Sequence, residues 1–310
     1  MITVAGEALI DVLIDPSGQI SAHPGGAPFN VARTVAALGQ PCQFLGRVGG
    51  DVFGRRLRAA LQERGVTLAV PEPTRAPTTL AVAELDADGV ADYRFYLEGT
   101  SAGCIGAPDL PPEVLAESQA VAFGGLGLLT EPLSSTLREL LPSVPAAGTV
   151  LLDPNCRPHA IDDLESFRAT VDGFLAHSDV VKVSVDDLAL LDAHHDPRAA
   201  ARRYLDFRPA SVLVTDGGRP VTVHTLGGEQ AVPVPSVDLV DTVGAGDAFV
   251  AGFLTWWVEQ GCTREQAGDL ERVTEAARAA VTVAAAACTT AGANLPGAFT
   301  WPPPPELVRG

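Results

Sequence analysis

The run Asp241-Thr242-Val243-Gly244-Ala245-Gly246-Asp247 brings together residue types that can do chemistry. An extended, Pro- and Val-rich segment (231–240) precedes it, and an apolar helical run from Ala248 to Val258 follows. Three small residues at a helix start leave backbone N–H groups bare. Such groups hold an anion, most often a phosphate. Asp247 then sets a carboxylate beside that anion. Like charges repel, so the pairing makes sense if the carboxylate takes a proton from a hydroxyl that attacks phosphorus. The competing reading makes Asp247 a helix-stabilising residue of the first turn. This stretch alone does not separate the two.

The elements that must position this run read as alternating strands and helices. Residues 2–14 pattern as one strand, in which Asp11 needs donors and is read as accepting from ligand hydroxyls. Gly25-Gly26 allows close backbone approach, Pro28 suits a first helical turn, and Asn30 caps that helix or contacts a polyol. Val31, Val35 and Leu38 form its apolar face, and Gly39 stops it. A strand over 43–48 and a helix with Val52, Phe53, Leu57 and Leu61 inward, N-capped by Asp51 and running to Gly65, come next. The segments 78–85 and 90–97, joined by Asp86-Ala87-Asp88-Gly89, read as a β-hairpin of a small lid. From residue 119 strands are expected at 120–124, 149–152, 179–183 and 211–215, and helices at 132–141, 164–177, 186–193 and 197–207. This rhythm predicts a mostly parallel α/β sheet covered on both faces, with ligands at the carboxyl ends of its strands. Asp153-Pro154-Asn155-Cys156-Arg157, Ser184-Val185-Asp186-Asp187 and Thr215-Asp216-Gly217-Gly218 all fall at such ends. Helices over 248–260 and from Leu270 to about Thr289 complete the pattern, and the proline run 302–305 is read as surface.

Composition excludes several functions. A formal net charge of −17 argues against nucleic acid or an anionic membrane as partner. No apolar run reaches the roughly 18 residues of a membrane span. Five scattered cysteines without a CxxC pair suggest reduced thiols rather than a zinc site. The first strand follows Met1 directly, so no targeting segment is expected and a cytoplasmic location is. Lys182 is the only lysine and no glycine loop precedes it, which removes the P-loop and protein-kinase classes and predicts a lysine-free phosphate site.

The segments GGAPFNVARTVAALG, GRVGGDVFG and DTVGAGDAFVAG resemble the ribokinase/fructokinase (PfkB-type) carbohydrate kinases over nearly the whole chain. GEALIDVLID, DPNCRP and VKVSVDDLALL are similar to the fructokinase-like branch. The resemblance implies one ribokinase-like domain over 1–310. It would be a three-layer α/β/α, Rossmann-like fold with a β lid from about 12–27 and 76–103. It implies ATP, Mg²⁺ and a sugar acceptor, with fructose first, and 2-keto-3-deoxygluconate, ribose or a nucleoside as alternatives. A sugar or nucleotide sensor on the same fold is the non-enzymatic alternative. Carried over by position, Asp247 is the base, and Gly244, Ala245 and Gly246 form the anion hole. Asp11, Gly25, Gly26, Asn30 and Arg157 hold the sugar. Ser184, Thr215, Gly217 and Gly218 line the nucleotide, again with Gly246. Asp187 holds Mg²⁺ through water, and Asp241, Thr242, Ala287 and Gly292 form a K⁺ loop. A homodimer through the lid is a further implication. The chain departs from the family pattern at Ser184–Asp187, which replaces Asn-x-x-Glu, and at Pro220, which stands where a glycine is usual.

Overall fold

The computed structural model describes residues 1–86, 91–111, 113–192, 196–297 and 299–301, and the account below is of these. In chain order the strands are β1 (Ile2–Ala5), β2 (Leu9–Ile14), β3 (Ile20–Gly25), β4 (Cys42–Leu45), β5 (Thr67–Leu68), β6 (Leu80–Leu85), β7 (Ala91–Tyr96), β8 (Ala120–Gly124), β9 (Thr149–Asp153), β10 (Val180–Ser184), β11 (Ser211–Asp216), β12 (Arg219–Thr225) and β13 (Gly228–Val232). The α-helices are α1 (Ala27–Ala37), α2 (Val52–Gln62), α3 (Leu133–Leu140), α4 (Leu164–Leu175), α5 (Val185–Leu191), α6 (Pro197–Leu205), α7 (Ala245–Glu259) and α8 (Leu270–Ala287).

The main sheet has the order β13-β12-β11-β10-β9-β8-β1-β4-β5. It is parallel from β11 to β5 and antiparallel at the β12 and β13 edge. Its central strands are apolar on both faces because helices cover both. Ile2, Val4, Leu151, Val180 and Leu213 face a core shared with α1, α2, α7 and α8. The alternate positions Ala5, Phe123, Leu152, Val181, Val183 and Val214 face a second core with α3 to α6. Register brings Gly124 level with Asp153, and Ser184 level with Thr215. The polar clusters that follow the strands therefore meet at one edge of the sheet.

A second, four-stranded sheet of order β3-β2-β6-β7 lies outside the first. The stretch 2–14 is thus two strands in two sheets, not one. The break is Gly6-Glu7-Ala8, where Gly6 adopts φ +148° and an added Cβ would lie 2.4 Å from Pro28 Cγ. The lid sheet accordingly begins at Leu9 rather than near residue 12. The expected hairpin is present as antiparallel β6 and β7, while residues 87–90 of its turn lie outside the described residues, as does the proline run 302–305. Val52 is 56% exposed, so α2 buries Leu57 and Leu61 but not its first residue. Asp51 caps that helix as expected, accepting from Gly54 N–H at 2.8 Å. No described helix is long and apolar enough to cross a membrane.

Candidate active site

Helix α7 starts with Gly244 in the left-handed region at φ +77°, and an added Cβ there would lie 2.4 Å from the Ala293 Cβ. Only glycine meets both demands. Ala245 N–H donates to the Thr242 carbonyl at 3.2 Å, and the next N–H groups of the first turn are those a helix leaves without intrahelical partners. Asp247 lies in this turn and is buried. Its Oδ2 accepts from Asn30 Nδ2 of α1 at 2.9 Å. Burial pushes its carboxyl up to about 6. Asn30 opposes that push, Asp153 adds to it, and Lys182 and Arg157 pull back. A carboxylate with that pKa is ionised at neutral pH and still basic enough to take a proton.

Lys182 is where the structure departs most from the sequence reading. It is 5% exposed and lies on the α7 side of β10, in alternation with Val181 and Val183. Its Nζ is 2.9 Å from Asp153 Oδ2, and a Cβ on Gly246 would come within 3.0 Å of it. Burial works against the ammonium, but Asp153, Asp187 and Asp247 outweigh it and hold its pKa above the usual lysine value. The phosphate cradle is therefore not lysine-free: a buried cation stands directly beneath Gly246. Asp153 Oδ1 and Asn30 Oδ1 are buried without hydrogen-bond partners. Asp153, Asn155 and Asp247 also line a small, partly open pocket of about 20 Å³.

The sugar candidates converge from the lid and from α1. Asp11 on β2 pairs with His23 of β3 and with Ala81 of β6. Its Oδ2 stands where a side chain on Gly25 would be, 1.9 Å from the added Cβ. Burial pushes Asp11 up to about 6, against Arg157 and His23. Gly26 precedes α1 at φ +104°, and Asn30 follows one turn later. Among the described residues Arg157 donates to the backbone carbonyls of Cys156 (3.1 Å) and Asn155 (3.4 Å), and its charge reaches both Asp11 and Asp247. Arg94 and Tyr96 are placed by the β-pleat on the lid face opposite to Asp11, because Asp11, Ala81 and Phe95 are in register.

A family model for the pfkB family carbohydrate kinases matches residues 1–298. The chain belongs to that family. The kinase is 37% identical over 256 residues to a fructokinase of Klebsiella pneumoniae, covering 82% of this chain and 83% of that one. It is 36% identical over 259 residues to a fructokinase of Rhizobium leguminosarum bv. trifolii, covering 82% and 78%. Among solved structures it is similar to the ATP-bound fructokinase of Xylella fastidiosa, with TM-score 0.82, 28% identity and coverage of 94% and 93%. It is also similar to an aminoimidazole riboside kinase of Salmonella enterica, with TM-score 0.80, 28% identity and 94% coverage of each chain.

The remaining candidates of the kinase fall into two groups. Ser184 and Asp187 form a capping box on α5: Asp187 N–H donates to Ser184 Oγ at 3.0 Å, and Ser184 Oγ donates to Asp187 Oδ2 at 2.6 Å. Asp187 Oδ1 also takes the Cys156 N–H at 2.8 Å. Burial opposes its charge, but Lys182 and these donors hold its pKa below the usual carboxylate value. Thr215, Gly217 and Gly218 lie at the β11–β12 turn, with Thr215 in register with Ser184. In the cation-loop set, Asp241 accepts from Val243 N–H at 3.0 Å and Gly292 N–H at 2.8 Å, which lowers its pKa. The Ala287 carbonyl accepts from Thr290, through its N–H at 3.2 Å and its hydroxyl at 3.1 Å. No group of three or more His, Cys, Asp or Glu among the described residues is arranged to hold a metal.

Proposed function

We propose that this carbohydrate kinase transfers the γ-phosphoryl group of ATP to a hydroxymethyl of a neutral ketohexose, with fructose the best acceptor. The observation that carries the reading is Asp247: a buried carboxylate, pushed up to about 6, at the open N-terminus of α7 and hydrogen-bonded to Asn30. The acceptor hydroxyl gives its proton to Asp247 as its oxygen bonds to the γ-phosphorus and the bond to the ADP oxygen breaks. Backbone N–H groups around Gly244, Ala245 and Gly246, with the ammonium of Lys182 behind them, face the charge that develops on the phosphoryl oxygens. Asp11, Gly25, Gly26, Asn30 and Arg157 orient the sugar, and Ser184, Thr215, Gly217 and Gly218 border the nucleotide.

Magnesium would neutralise charge between the phosphates. Asp187 fits a water-mediated role, because one protein donor on Oδ1 leaves that oxygen a second lone pair. A monovalent cation fits the loop of Asp241, Thr242, Ala287 and Gly292 on the same count, since each Asp241 oxygen is given one donor in this structure. In this reading the enzyme works in the cytoplasm. It pairs through the lid, where Ile20 is 66% and Tyr96 52% exposed. The solved relative from Vibrio cholerae holds fructose, ADP and potassium, which supports both the acceptor and the cation.

The test is ATP consumption across a panel of sugars, sugar acids and nucleosides. Fructose should have the highest specificity constant. A tenfold preference for a sugar acid would overturn the choice and make Arg157 a carboxylate partner. A preference for a riboside would align the chain with the riboside-kinase neighbour instead.

A further inference from the structure

The segment GRVGGDVFG helps to carry the family resemblance, yet the proposed reaction gives it no task. Its Asp51 caps α2. A helix cap needs one acceptor, whereas this carboxylate takes three donors from two separate segments. Oδ1 accepts the Gly54 N–H at 2.8 Å and the Thr78 hydroxyl at 2.6 Å, and Oδ2 accepts the Thr78 N–H at 2.8 Å. Thr78 is buried and lies where the chain enters β6 and the lid. The two segments approach closely, since a Cβ on Gly49 would lie 2.6 Å from Thr78 Oγ1. Backbone bonds bring them together: Thr74 N–H donates to the Val48 carbonyl and Gly50 N–H to the Thr74 carbonyl, each at 3.0 Å.

The next residue ties the exit of the β6–β7 hairpin to its entry. Thr79 Oγ1 accepts from Ala102 N–H at 3.0 Å. The Thr100 hydroxyl gives its one hydrogen to the Leu97 carbonyl at 2.6 Å, so Thr79 is the donor in the 2.8 Å bond between the two hydroxyls. Ser101 N–H donates to the Pro77 carbonyl at 2.9 Å. Entry and exit thus form one buried root, and Asp51 fixes that root to the start of α2. The root also meets the first lid hairpin: the Thr79 carbonyl accepts from Ile10 N–H at 3.0 Å, and Ala81 of β6 is level with Asp11 of β2. We propose that Asp51 is a positioning residue: through Thr78 it sets the hinge on which the β6–β7 half of the lid seats against β2, and so the place of Asp11 over the sugar. The proposal rests on the reading of Asp11 as a sugar contact. Asparagine does not serve here, because its NH₂ would have to face either the Gly54 or the Thr78 N–H.

The cap and the clamp can be separated. Serine caps a helix about as well as aspartate, but its single oxygen has no second acceptor for Thr78. Asp51→Ser therefore keeps the cap and loses the clamp. Thr78→Val removes the hydroxyl from the clamp and leaves the Gly54 bond intact, and Thr78→Ser keeps the hydroxyl. The experiment is steady-state kinetics of these variants beside the wild type, with melting temperatures and with ADP and sugar phosphate counted separately. Asp51→Ser should raise the KM for the sugar roughly tenfold or more, and Thr78→Val severalfold, while the KM for ATP stays within about twofold. ADP formed per sugar phosphate should rise in both, because a poorly seated lid admits water. Thr78→Ser should match the wild type. An unchanged sugar KM in Asp51→Ser and Thr78→Val, measured well below their melting temperatures, would leave Asp51 a helix cap and overturn the proposal. If Asp51→Ser does not fold, Thr78→Val decides by the same readouts. If neither folds, amide exchange of the wild type decides: sugar should slow exchange at Thr78, and no change there sinks the idea. Failure of the fructokinase reading would look different, since the wild type itself would then not phosphorylate fructose.

Discussion

The two ends of the central strands treat buried carboxylates in opposite ways. At the amino end, Asp179 is 4% exposed and fully engaged. It accepts from Val150 N–H at 2.8 Å, Arg264 Nε at 2.9 Å and Arg208 Nη2 at 3.2 Å. At the carboxyl end, Glu7, Asp153 and Asp247 are as deeply buried but under-supplied. Asp153 Oδ1 has no partner, and Asp247 has one side-chain donor, an amide whose own oxygen is unpartnered. Burial pushes Glu7 up to about 7 and Asp247 up to about 6, and raises Asp153 as well. The same fold can satisfy a carboxylate when the role is to close a sheet end. The other end keeps its charges short of donors, as a site does when part of its partner set arrives with substrate.

Exchanging one carboxylate at each end breaks the comparison most directly. Asp247→Asn preserves side-chain size and the Asn30 contact region but removes the base. Turnover should fall by roughly 10²- to 10⁴-fold. The dissociation constant for ATP should hold or tighten, because a charge beside the γ-phosphate has gone. Melting temperature should hold or rise, because the lost charge was poorly solvated. Near-normal turnover in the folded variant would return Asp247 to the helix-start reading. Asp179→Ala should do the reverse. It strands two arginines and a strand N–H, and should cost about 3–5 kcal/mol in urea unfolding while leaving turnover per folded molecule unchanged. A loss of turnover without loss of stability there would erase the distinction between the two ends.

Much of this contrast was legible in the sequence, but not all. The βα rhythm after residue 119 places β8, β9, β10 and β11 within a residue of their observed bounds, because strands covered on both faces read as short apolar runs. The run 2–14 misled because alternation is blind to a change of sheet, and Gly6 was the only mark of the break. β3, with the sequence ISAHPG, escaped because it is a lid edge strand, half of it exposed, and carries a proline. β12 and β13 escaped because Arg219-Pro220 opens β12 and most of β13 is exposed. At the site, the DTVGAGD run needed only local spacing and was readable. Lys182 and Asp153 were not, since their partners are 29 residues apart. One signal was available: a lysine flanked by Val181 and Val183 in a doubly covered strand cannot be buried without an acid beside it.

A smaller effect sharpens the carboxyl end itself. Asp187 differs from its neighbours there, since the Lys182 charge, with donors from Ser184 and Cys156, holds its pKa down. If it also organises magnesium through water, Asp187→Ala should raise the magnesium midpoint by roughly 10- to 100-fold and lower turnover, with sugar affinity retained. An unchanged magnesium titration would leave Asp187 with only its capping role on α5.

The smallest effect is on stability against pH, and its sign follows from the under-supplied end. Glu7, Asp11 and Asp247 have folded pKa values raised to about 7, 6 and 6. A raised carboxyl binds more protons in the folded state than in the unfolded state between its two pKa values. Stability therefore falls as pH rises through that window and recovers as pH drops. Asp187 and Asp241 are lowered instead, and their contribution is lost only below the ordinary carboxylate range, around pH 4 and beneath. Between pH 7 and pH 5 the first group acts together with Asp153, which burial also raises, and against His224, whose pKa burial lowers; the formal net charge of −17 pushes the same way as the carboxyls when protons reduce it. The urea midpoint should accordingly rise from pH 7 to pH 5, by an amount on the order of 1 kcal/mol in unfolding free energy. Asp247→Asn should flatten that rise. A midpoint that falls over this interval in the wild type would mean that the carboxylates at the active-site end are as well satisfied as Asp179.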